Sequence, residues 1–407
     1  MSSSAADPAG GPGAGAAPPG LDAVLAPGGW VLASAPSQGA GDPGRFHALF
    51  GRDGLITALQ VLPSRPDVAR ATLRALAARI GTRTVPGTQE EPGKVPHELR
   101  DRAPAVLVER GWPDPDAPFA SYATADATPW FLVLIDALGD AAVTRELEPA
   151  WRSAAGWLAG ALDTGDGLVR HGTGGHPAGL SQHGWRDAID PTDPRDGGGG
   201  IVRADGSRPP EGLADADTQG VAAAALAALA RLTGEGAWTE RLGALQERVG
   251  AAFDPDTMAV EPDGTRVPGA GSQLGWLLWG AALPDGEKRE AAAERLCRDD
   301  VLTDAGLRTL SSDHAAFAPD AYHRGSVWPF DSWIGWGGLR AAGRPQEAER
   351  VRRGVLAALG KLGHAPELYA VERDGRVRPV ASANWVQAWT IGARLAWAAD
   401  ADGRRVG

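Results

Sequence analysis

Residues 215–253 read DADTQGVAAAALAALARLTGEGAWTERLGALQERVGAAF, and this stretch predicts two helices joined by one short turn. Alanine and leucine favour helices over strands. The helices are expected near 215–233 and 237–253, with the turn Gly234-Glu235-Gly236 between them. Because so short a turn makes the two helices antiparallel neighbours, the predicted unit is a helical hairpin.

The same hairpin pattern recurs along the chain. Long polar loops, many of them with tryptophan, separate helix pairs with short internal turns, and they cover 82–122, 163–211, 302–326 and 362–384. One further helix should end near 62, and the others should cover about 66–80, 124–138, 145–161, 271–283, 286–299, 327–342, 345–361 and 383–399. These make eleven helices, and the segment before Phe46 offers a twelfth.

This alternation predicts an all-α fold, an (α/α)6 toroid of six helical hairpins with the long loops at one end. Short strands are expected within 368–380, around the turn Arg373-Asp374-Gly375. No linker interrupts the pattern after residue 46, so the sequence predicts one catalytic domain over 21–407. Residues 1–20 are mostly Ser, Ala, Gly and Pro and predict a disordered tail.

Composition limits the classes of ligand and compartment. The net charge is -11 without blocks of Lys or Arg, which argues against nucleic acid and anionic membranes as partners and suits a neutral, hydroxyl-rich ligand. The chain has no apolar run of transmembrane length and no signal-peptide pattern at its start. Its single cysteine, Cys297, excludes an intramolecular disulfide and a Cys-rich metal site. A cytoplasmic protein is therefore expected.

The strongest candidate for a catalytic acid lies in Ser181-Gln-His-Gly-Trp-Arg-Asp-Ala-Ile-Asp190. Cleavage of a glycosidic bond needs one carboxylic acid to protonate the leaving oxygen and a second carboxylate opposite it. An apolar wall such as the Trp185 indole would keep Asp187 protonated near neutral pH. The alternative is that Asp187 caps a helix or a turn.

Two further segments offer groups that bind sugars. Arg52 and Asp53 stand at a helix entrance and would hold vicinal hydroxyls through charge-assisted hydrogen bonds, or would form only a surface ion pair or a cap. The segment 322–331 carries His323, Arg324 and Trp328, an aromatic platform suited to the face of a sugar ring. Tryptophans at helical spacing after it are more often core residues.

The second carboxylate is expected at Glu367, in Pro366-Glu-Leu-Tyr369. It follows Asp187 by 180 residues (367 minus 187), so only a closed architecture brings the two together. The loop after it leads to Trp389 in Gln387-Ala-Trp. Asp126 and Gln219 add polar groups at helix starts, where capping is the usual role.

In this order, the segments resemble the catalytic domain of bacterial glycogen debranching, amylo-α-1,6-glucosidase-like proteins, which are six-hairpin, (α/α)6-barrel glycoside hydrolases. The resemblance runs from about residue 46 to 395. Its segments are LFGRDGLITAL (49–59), EEPGKVPHE (90–98), DATP (126–129), HGWRD (183–187), GLRTLS (306–311), HRGSVWP (323–329) and QAW (387–389).

The resemblance implies a role for each matching residue. Asp187 matches the proton donor, Glu367 the general base, and Arg52 and Asp53 the pair that holds the terminal sugar. Trp185, Asp126, Gln219, His323, Arg324, Trp328 and Trp389 match positions around the substrate. The class inverts the anomeric carbon, so the two carboxyl groups are expected about 6.5–9.5 Å apart, with no metal and no cofactor.

The sequence departs from that family in several places. Related chains usually carry an N-terminal β-rich domain, and only about 45 residues precede the first motif here. The family's Asn-Gln-Gly-Trp-Lys-Asp-Ser reads Ser-Gln-His-Gly-Trp-Arg-Asp-Ala around Asp187. We therefore predict a hydrolase for α-linked glucose, on an α-1,6 branch stub or a small α-glucoside. The alternatives are a non-catalytic sugar-binding scaffold and another (α/α)6 enzyme, such as a trehalase-like, glucosylglycerate hydrolase-like or epimerase protein.

Overall fold

A computed structural model of the chain describes residues 19–39, 42, 44–187 and 200–401. The predicted tail over 1–20 lies outside the described residues except for its last two positions. The last three residues of the acid motif, 188–190, also lie outside them. No helix in the described ranges is long and apolar enough to cross a membrane.

Helices are the main regular elements of the described chain. The α-helices are α1 (Gly51–Val61), α2 (Pro66–Ala77), α3 (Ala105–Glu109), α4 (Ala127–Leu138), α5 (Ala141–Glu146), α6 (Glu148–Asp163), α7 (Ala216–Thr233), α8 (Gly236–Ala252), α9 (Gln273–Trp279), α10 (Glu287–Leu296), α11 (Pro329–Ala341), α12 (Pro345–Leu362) and α13 (Ala388–Ala401). Two 3₁₀ turns cover Leu21–Val24 and Pro86–Thr88.

Four small antiparallel sheets lie in the connections between helices. The strands are β1 (Leu49–Phe50), β2 (Glu98–Arg100), β3 (Phe119–Ser121), β4 (Ala214–Asp215), β5 (Thr257–Val260), β6 (Arg266–Pro268), β7 (Leu302–Thr303), β8 (Gly306–Leu307), β9 (Tyr369–Val371) and β10 (Val377–Pro379). Their orders are β1-β2-β3, β4-β5-β6, β7-β8 and β9-β10. The pair β9-β10 confirms the strands expected within 368–380.

Six helices close an inner ring. α1 packs on α4, α4 on α7, α7 on α9, α9 on α11 and α11 on α13, and α13 packs back on α1. Outside them, α2 packs on α1, α6 on α4, α8 on α7, α10 on α9 and α12 on α11. The predicted (α/α)6 toroid is therefore confirmed.

The sixth outer position departs from the prediction. Within its described part, the segment before Phe46 contains only the 3₁₀ turn Leu21–Val24, and this turn packs on α13. Leu21 and Val24 bury their side chains against the core, while Pro27, Gly28 and Gly29 follow at once and disfavour a longer helix. A full outer helix at this sixth position, the twelfth helix that the sequence offered, is therefore absent from the described residues.

The helix predicted over 145–161 corresponds to α6, which begins at Glu148 with Pro149 in its first turn, and a separate short helix, α5, ends at Glu146 before it. Proline has no amide hydrogen and its ring clashes with the carbonyl group one turn earlier, so α5 does not continue through Leu147 into α6. The short helix α3 was not predicted, and α13 begins at Ala388, five residues later than expected.

Glycines allow the inner helices to approach closely. A Cβ atom on Gly280 would lie 1.8 Å from the carbonyl oxygen of Gly220, where α9 meets α7. A Cβ atom on Gly275 would lie 2.5 Å from the Cα atom of Gly335, where α9 meets α11. At these crossings the glycine-rich composition has a packing cause, because any side chain would push the ring apart.

The hairpin formed by α7 and α8 shows how the sequence sets its own helix ends. The Asp215 side chain accepts a hydrogen bond from the Thr218 amide and caps α7. Gly234 ends the helix in the left-handed conformation, with φ of 69°, which glycine adopts without strain. The predicted short turn at 234–236 is therefore confirmed.

Candidate active site

One cavity of about 800 Å³ is lined by side chains from most of the long loops. Eight of the eleven residues predicted for the site line it: Arg52, Asp53, Trp185, Asp187, His323, Trp328, Glu367 and Trp389. The closed ring thus brings the predicted acid and the predicted base, 180 residues apart in sequence, to one cavity.

Asp187 is a buried carboxylate with two close polar neighbours. Its Oδ2 accepts a hydrogen bond from Arg52 Nη1 at 3.0 Å and lies 3.4 Å from His97 Nδ1. Burial raises the pKa of Asp187 to about 6, although the positive charge of Arg52 acts in the opposite direction. The group therefore holds its proton closer to neutral pH than an exposed aspartic acid does.

Glu367 is buried as deeply as Asp187. The Tyr322 hydroxyl donates a short hydrogen bond to Glu367 Oε1, and the Asn384 amide donates one to Oε2 at 3.3 Å. Burial raises the pKa of Glu367 to about 7, partly offset by the charge of Arg45 and by the Tyr322 hydrogen bond. A carboxylate with a raised pKa is a stronger base than an exposed one, as water activation requires.

Arg52 lines the cavity and also donates hydrogen bonds to two carboxylates. It donates to Asp126 Oδ2 from Nε at 2.7 Å and to Asp187 from Nη1, and it lies 3.4 Å from the Thr124 hydroxyl. Two of its donors are therefore bound to acids, and the contact of the guanidinium with sugar hydroxyls stays a prediction. Arg52 also orients Asp187.

Asp126 does not line the cavity and does not cap α4 with its side chain. Its oxygens accept hydrogen bonds from Arg52 Nε and, at 2.8 Å, from the Thr124 hydroxyl. It therefore acts on the cavity through Arg52, and the direct sugar contact predicted for it is not favoured by this placement.

Asp53 is linked to the loop that carries the predicted base. Gln387 Nε2 donates to Asp53 Oδ1 at 3.2 Å, and Asn384 Nδ2 donates to Gln387 Oε1 at 3.1 Å. Burial and the negative charges of Glu367 and Asp187 raise the pKa of Asp53 to about 8, against the charge of Arg52. At neutral pH this carboxyl group can donate as well as accept a hydrogen bond to a sugar hydroxyl.

The aromatic platform predicted from 322–331 is present. His323 stacks on Trp328, with ring centroids 5.0 Å apart and planes 7° apart, and Trp185 meets both rings edge-on. Trp389 stacks on Phe330 at 3.8 Å. Both His323 nitrogens are buried without a hydrogen-bond partner among the described residues, and burial lowers the pKa of His323 well below its usual value. A neutral imidazole is therefore available to a ligand.

Two further predicted site residues lie outside the cavity lining. The Gln219 amide accepts from the Val169 amide at 2.9 Å and donates to the Val169 carbonyl at 2.8 Å, so it joins α7 to the loop after α6. Arg324 does not line the cavity either. The Gln219 side chain is engaged with backbone, and neither residue lines the cavity, so their contacts with substrate stay untested predictions.

The structure also adds residues that the sequence did not single out. His97 lies beside Asp187, Tyr322 bonds Glu367, and Gln387 bonds Asp53, and all three line the cavity. Each stood inside a quoted motif, but motif membership does not say which side chain faces inward. A sequence signal existed only for His97, at the end of the polar loop that begins at residue 82.

The start of α7 holds the loop that carries Asp187. Asp217 Oδ1 accepts from Trp185 Nε1 at 2.9 Å, and Asp217 Oδ2 accepts from Arg186 Nε at 3.2 Å. Arg186 also donates to the Thr309 carbonyl and the Ser272 hydroxyl, both at 2.9 Å. The two residues before Asp187 are thus bound to one buried carboxylate.

His171 adds a second support for the same loop. His171 Nδ1 accepts a hydrogen bond from the His183 amide at 3.1 Å, so the His171 proton lies on Nε2, which contacts Asp215. Asp215 and Asp217 therefore act together from the start of α7, one through His171 and one through Trp185 and Arg186. The capping role expected at this helix start belongs to Asp215 alone.

We expect Asp217→Asn to lower kcat by up to about 100-fold with little change in KM, because a small displacement of the acid impairs proton transfer more than binding. Steady-state kinetics would show this split, with thermal unfolding as a control for folding. Asp136→Asn is the matched control, since Asp136 bonds Arg231 outside the cavity lining. A proportional loss in both variants would mean that Asp217 serves stability only.

In the described part of the chain, no three His, Cys, Asp or Glu side chains stand close enough together to hold a metal ion. The chemistry available from the described residues of the cavity is that of buried carboxyl groups, among them Asp187 and Glu367, a neutral imidazole and an aromatic wall.

Comparison with known proteins agrees with this geometry. Residues 68–372 match the family described as the mannosylglycerate hydrolase MGH1-like glycoside hydrolase domain. This match and the fold support a six-hairpin glycosidase, and they do not support glycogen debranching specifically. No curated protein matches the sequence.

Solved structures share the fold across nearly the whole chain. The GH63 mannosylglycerate hydrolase from Thermus thermophilus in complex with Tris and D-glycerate aligns with a TM-score of 0.64 and 16% identity, over 93% of this chain and 98% of that chain. The same enzyme in complex with glucose aligns with a TM-score of 0.63 and 17% identity, over 93% and 97%. At such identities the likeness establishes the (α/α)6 fold alone.

Proposed function

Because this chain belongs to the mannosylglycerate hydrolase MGH1-like glycoside hydrolase family and is a glycosidase, we propose that it is an inverting hydrolase of small α-linked hexosides. Asp187 is the general acid and Glu367 is the general base. One observation carries this proposal: both carboxyl groups are buried in one cavity, and burial raises the pKa of each.

The reaction follows from the two protonation states. Ionised Glu367 takes a proton from a water molecule, and that water attacks the anomeric carbon while Asp187 protonates the departing oxygen. A water must fit between the base and the sugar, so the proposal includes carboxyl groups about 6.5–9.5 Å apart. The Tyr322 hydroxyl and the Asn384 amide hold Glu367 in place for this step.

The terminal sugar lies between the carboxyl groups and the aromatic wall. Asp53, joined to Gln387, faces its hydroxyl groups, and neutral His323 offers a further hydrogen bond beside Trp328. Sugars present apolar C–H faces that pack well on aromatic rings. Arg52 contributes through Asp187, whose orientation and charge it controls.

The sugar is proposed as glucose or mannose and the aglycone as a small molecule. Glucose and D-glycerate are ligands of the similar Thermus enzyme, which is described as a mannosylglycerate hydrolase. The α-1,6 branch stub of a dextrin is the finer substrate implied by the sequence resemblance, and it is the competing candidate.

An activity screen separates these substrates. The panel is glucosylglycerate, mannosylglycerate, methyl α-glucoside, methyl α-mannoside, maltose, isomaltose, trehalose and a limit dextrin, with the released hexose measured by anion-exchange chromatography. We expect the highest kcat/KM on a hexoside with a small aglycone. Preference for limit dextrin would move the substrate to the branch stub, and sugar binding without turnover on every compound would overturn the hydrolase proposal.

We expect a bell-shaped pH dependence of kcat/KM with its maximum between about pH 6 and 7, since the two pKa values are about 6 for Asp187 and about 7 for Glu367. Activity requires Glu367 ionised and Asp187 protonated, which is a minority form at every pH because the base has the higher pKa. Below the maximum, activity falls as Glu367 gains a proton. It falls at high pH as Asp187 loses one. A profile that stays flat from pH 5 to 8 would contradict the assignment.

A further inference from the structure

Aromatic rings line the cavity beside the proposed acid. His97 lies 3.4 Å from Asp187, and the Phe50 ring meets the His97 ring edge-on at 5.5 Å. Phe46 meets Phe50 edge-on at 5.7 Å. All of these residues line the cavity, so an apolar surface begins beside the acid.

The sheet formed by β1, β2 and β3 adds further residues to the cavity lining. Phe50 on β1 pairs with Glu98 on β2, and Arg100 on β2 pairs with Phe119 on β3. The Arg100 guanidinium lies 5.6 Å from the Phe50 ring and bonds Glu98, so its charge is compensated. Phe50 and Phe119 thus lie on the two edge strands of one sheet, with Glu98 and Arg100 on the strand between them, and all four residues line the cavity.

The connection between β2 and β3 contains α3 and holds a separate apolar cluster. Leu107 and Phe119 form a small apolar cluster with Trp112, separate from the main core. The Trp112 ring lies 5.0 Å from Phe119 and 4.8 Å from His176, and Leu107, Trp112, Phe119 and His176 all line the cavity.

Val106 is the unusual residue of this segment. It is 42% exposed, the only large hydrophobic side chain so exposed among the described residues, and it lines the cavity. Val106 adjoins Leu107 in the sequence and extends the apolar lining of the cavity to a solvent-exposed side chain. The neighbouring Arg110 also lines the cavity, and its Nε donates to the Ala178 carbonyl.

We propose that Phe46, Phe50, Val106, Leu107, Trp112 and Phe119 form an aglycone subsite that accepts an apolar aglycone, an alkyl chain or an aromatic ring. This rests on the proposed function, because the acid protonates the leaving oxygen and the groups beside it therefore face the aglycone. The natural substrate is then a hexoside with an apolar part beyond its glycosidic oxygen. The cavity, at about 800 Å³, has room for more than one sugar ring.

A series of methyl, butyl and hexyl α-glucosides and α-mannosides tests this subsite. Their leaving groups differ little in basicity, so a change of rate along the series reports aglycone binding. From butyl to hexyl, we expect kcat/KM to rise by about two- to fourfold for each methylene. A flat series on a hydrolysed sugar overturns the subsite and leaves the proposed function standing.

Binding to the Asp187→Asn variant gives a readout that does not depend on turnover. We expect calorimetry to show hexyl glycoside binding about 10-fold more tightly than butyl glycoside. If no glycoside is hydrolysed by the wild type but this difference in binding remains, the subsite is upheld and the hydrolase proposal fails. If neither is seen, both fail.

The variant Val106→Asp places a charge on the proposed surface at an exposed position of α3. We expect it to remove the dependence on chain length in both kinetics and binding. Ala141→Asp is the matched control, because it adds one carboxylate at an exposed position in the first turn of α5, outside the cavity lining. An equal loss of chain-length dependence in the control, or none in Val106→Asp, would contradict the proposal.

Discussion

We expect Asp187→Asn to lower the hydrolysis of alkyl hexosides by about 10²- to 10⁴-fold, the range typical for loss of a general acid. An amide cannot protonate the leaving oxygen, while its shape is nearly that of the acid. The fold should persist, because the change removes a buried ionisable group and Arg52 retains its bond to Asp126. Initial rates and thermal unfolding of the purified variant measure both effects.

The loss should depend on the leaving group, and this is the sharper part of the test. A 2,4-dinitrophenyl glycoside departs without protonation, so the same variant should retain most of its activity on it. Asp136→Asn, at a half-buried carboxylate that bonds Arg231, should behave as the wild type on both substrates. Equal losses on both leaving groups would exclude Asp187 as the acid.

The second large effect is expected for Glu367→Gln, which should lower kcat by about 10²- to 10⁴-fold whichever leaving group is used. The amide of glutamine cannot take a proton from water, and water attack is needed for every substrate. Asp187 stays intact, so the leaving group is still protonated. Rates on alkyl and dinitrophenyl hexosides measure this independence.

Azide gives the positive control for the same variant. It needs no base to attack, so adding it should restore turnover and yield the β-glycosyl azide from an α-hexoside. Glu261→Gln is the matched variant, because Glu261 is a buried glutamate that bonds Arg203 outside the cavity lining. It should need no rescue. A product with α configuration, or full activity of Glu367→Gln without azide, would contradict the assignment.

Local sequence features predicted much of the ring, because each hairpin depends on neighbouring residues. The α7 to α8 unit shows this: its Ala- and Leu-rich helices, its Asp215 cap and its Gly234 end are all within one stretch. The absence of a full outer helix beside α13 could not be predicted in the same way. Its place is filled by a 3₁₀ turn at Leu21–Val24, and a local pattern does not say how much helix the ring needs at that position.

The sequence predicted most residues of the candidate site but few of the contacts between them. The motifs brought Asp187 and Glu367 together correctly in one cavity, but the partners of each are distant in sequence. Arg52 bonds Asp187, 135 positions away, and Trp185, in the loop of Asp187, bonds Asp217 on α7. Such pairs arise from ring closure, so Arg52 and Trp185, expected to face the sugar or the acid, also serve as supports for the loop of Asp187.

The configuration of the first product tests the central claim most directly. Proton NMR during the first minutes of hydrolysis of an α-hexoside, before mutarotation, distinguishes the two anomers of the released sugar. The proposed pair of Asp187 as acid and Glu367 as water-activating base predicts that the β-anomer appears first. Initial release of the α-anomer would mean that configuration is retained, and it would contradict the inverting mechanism.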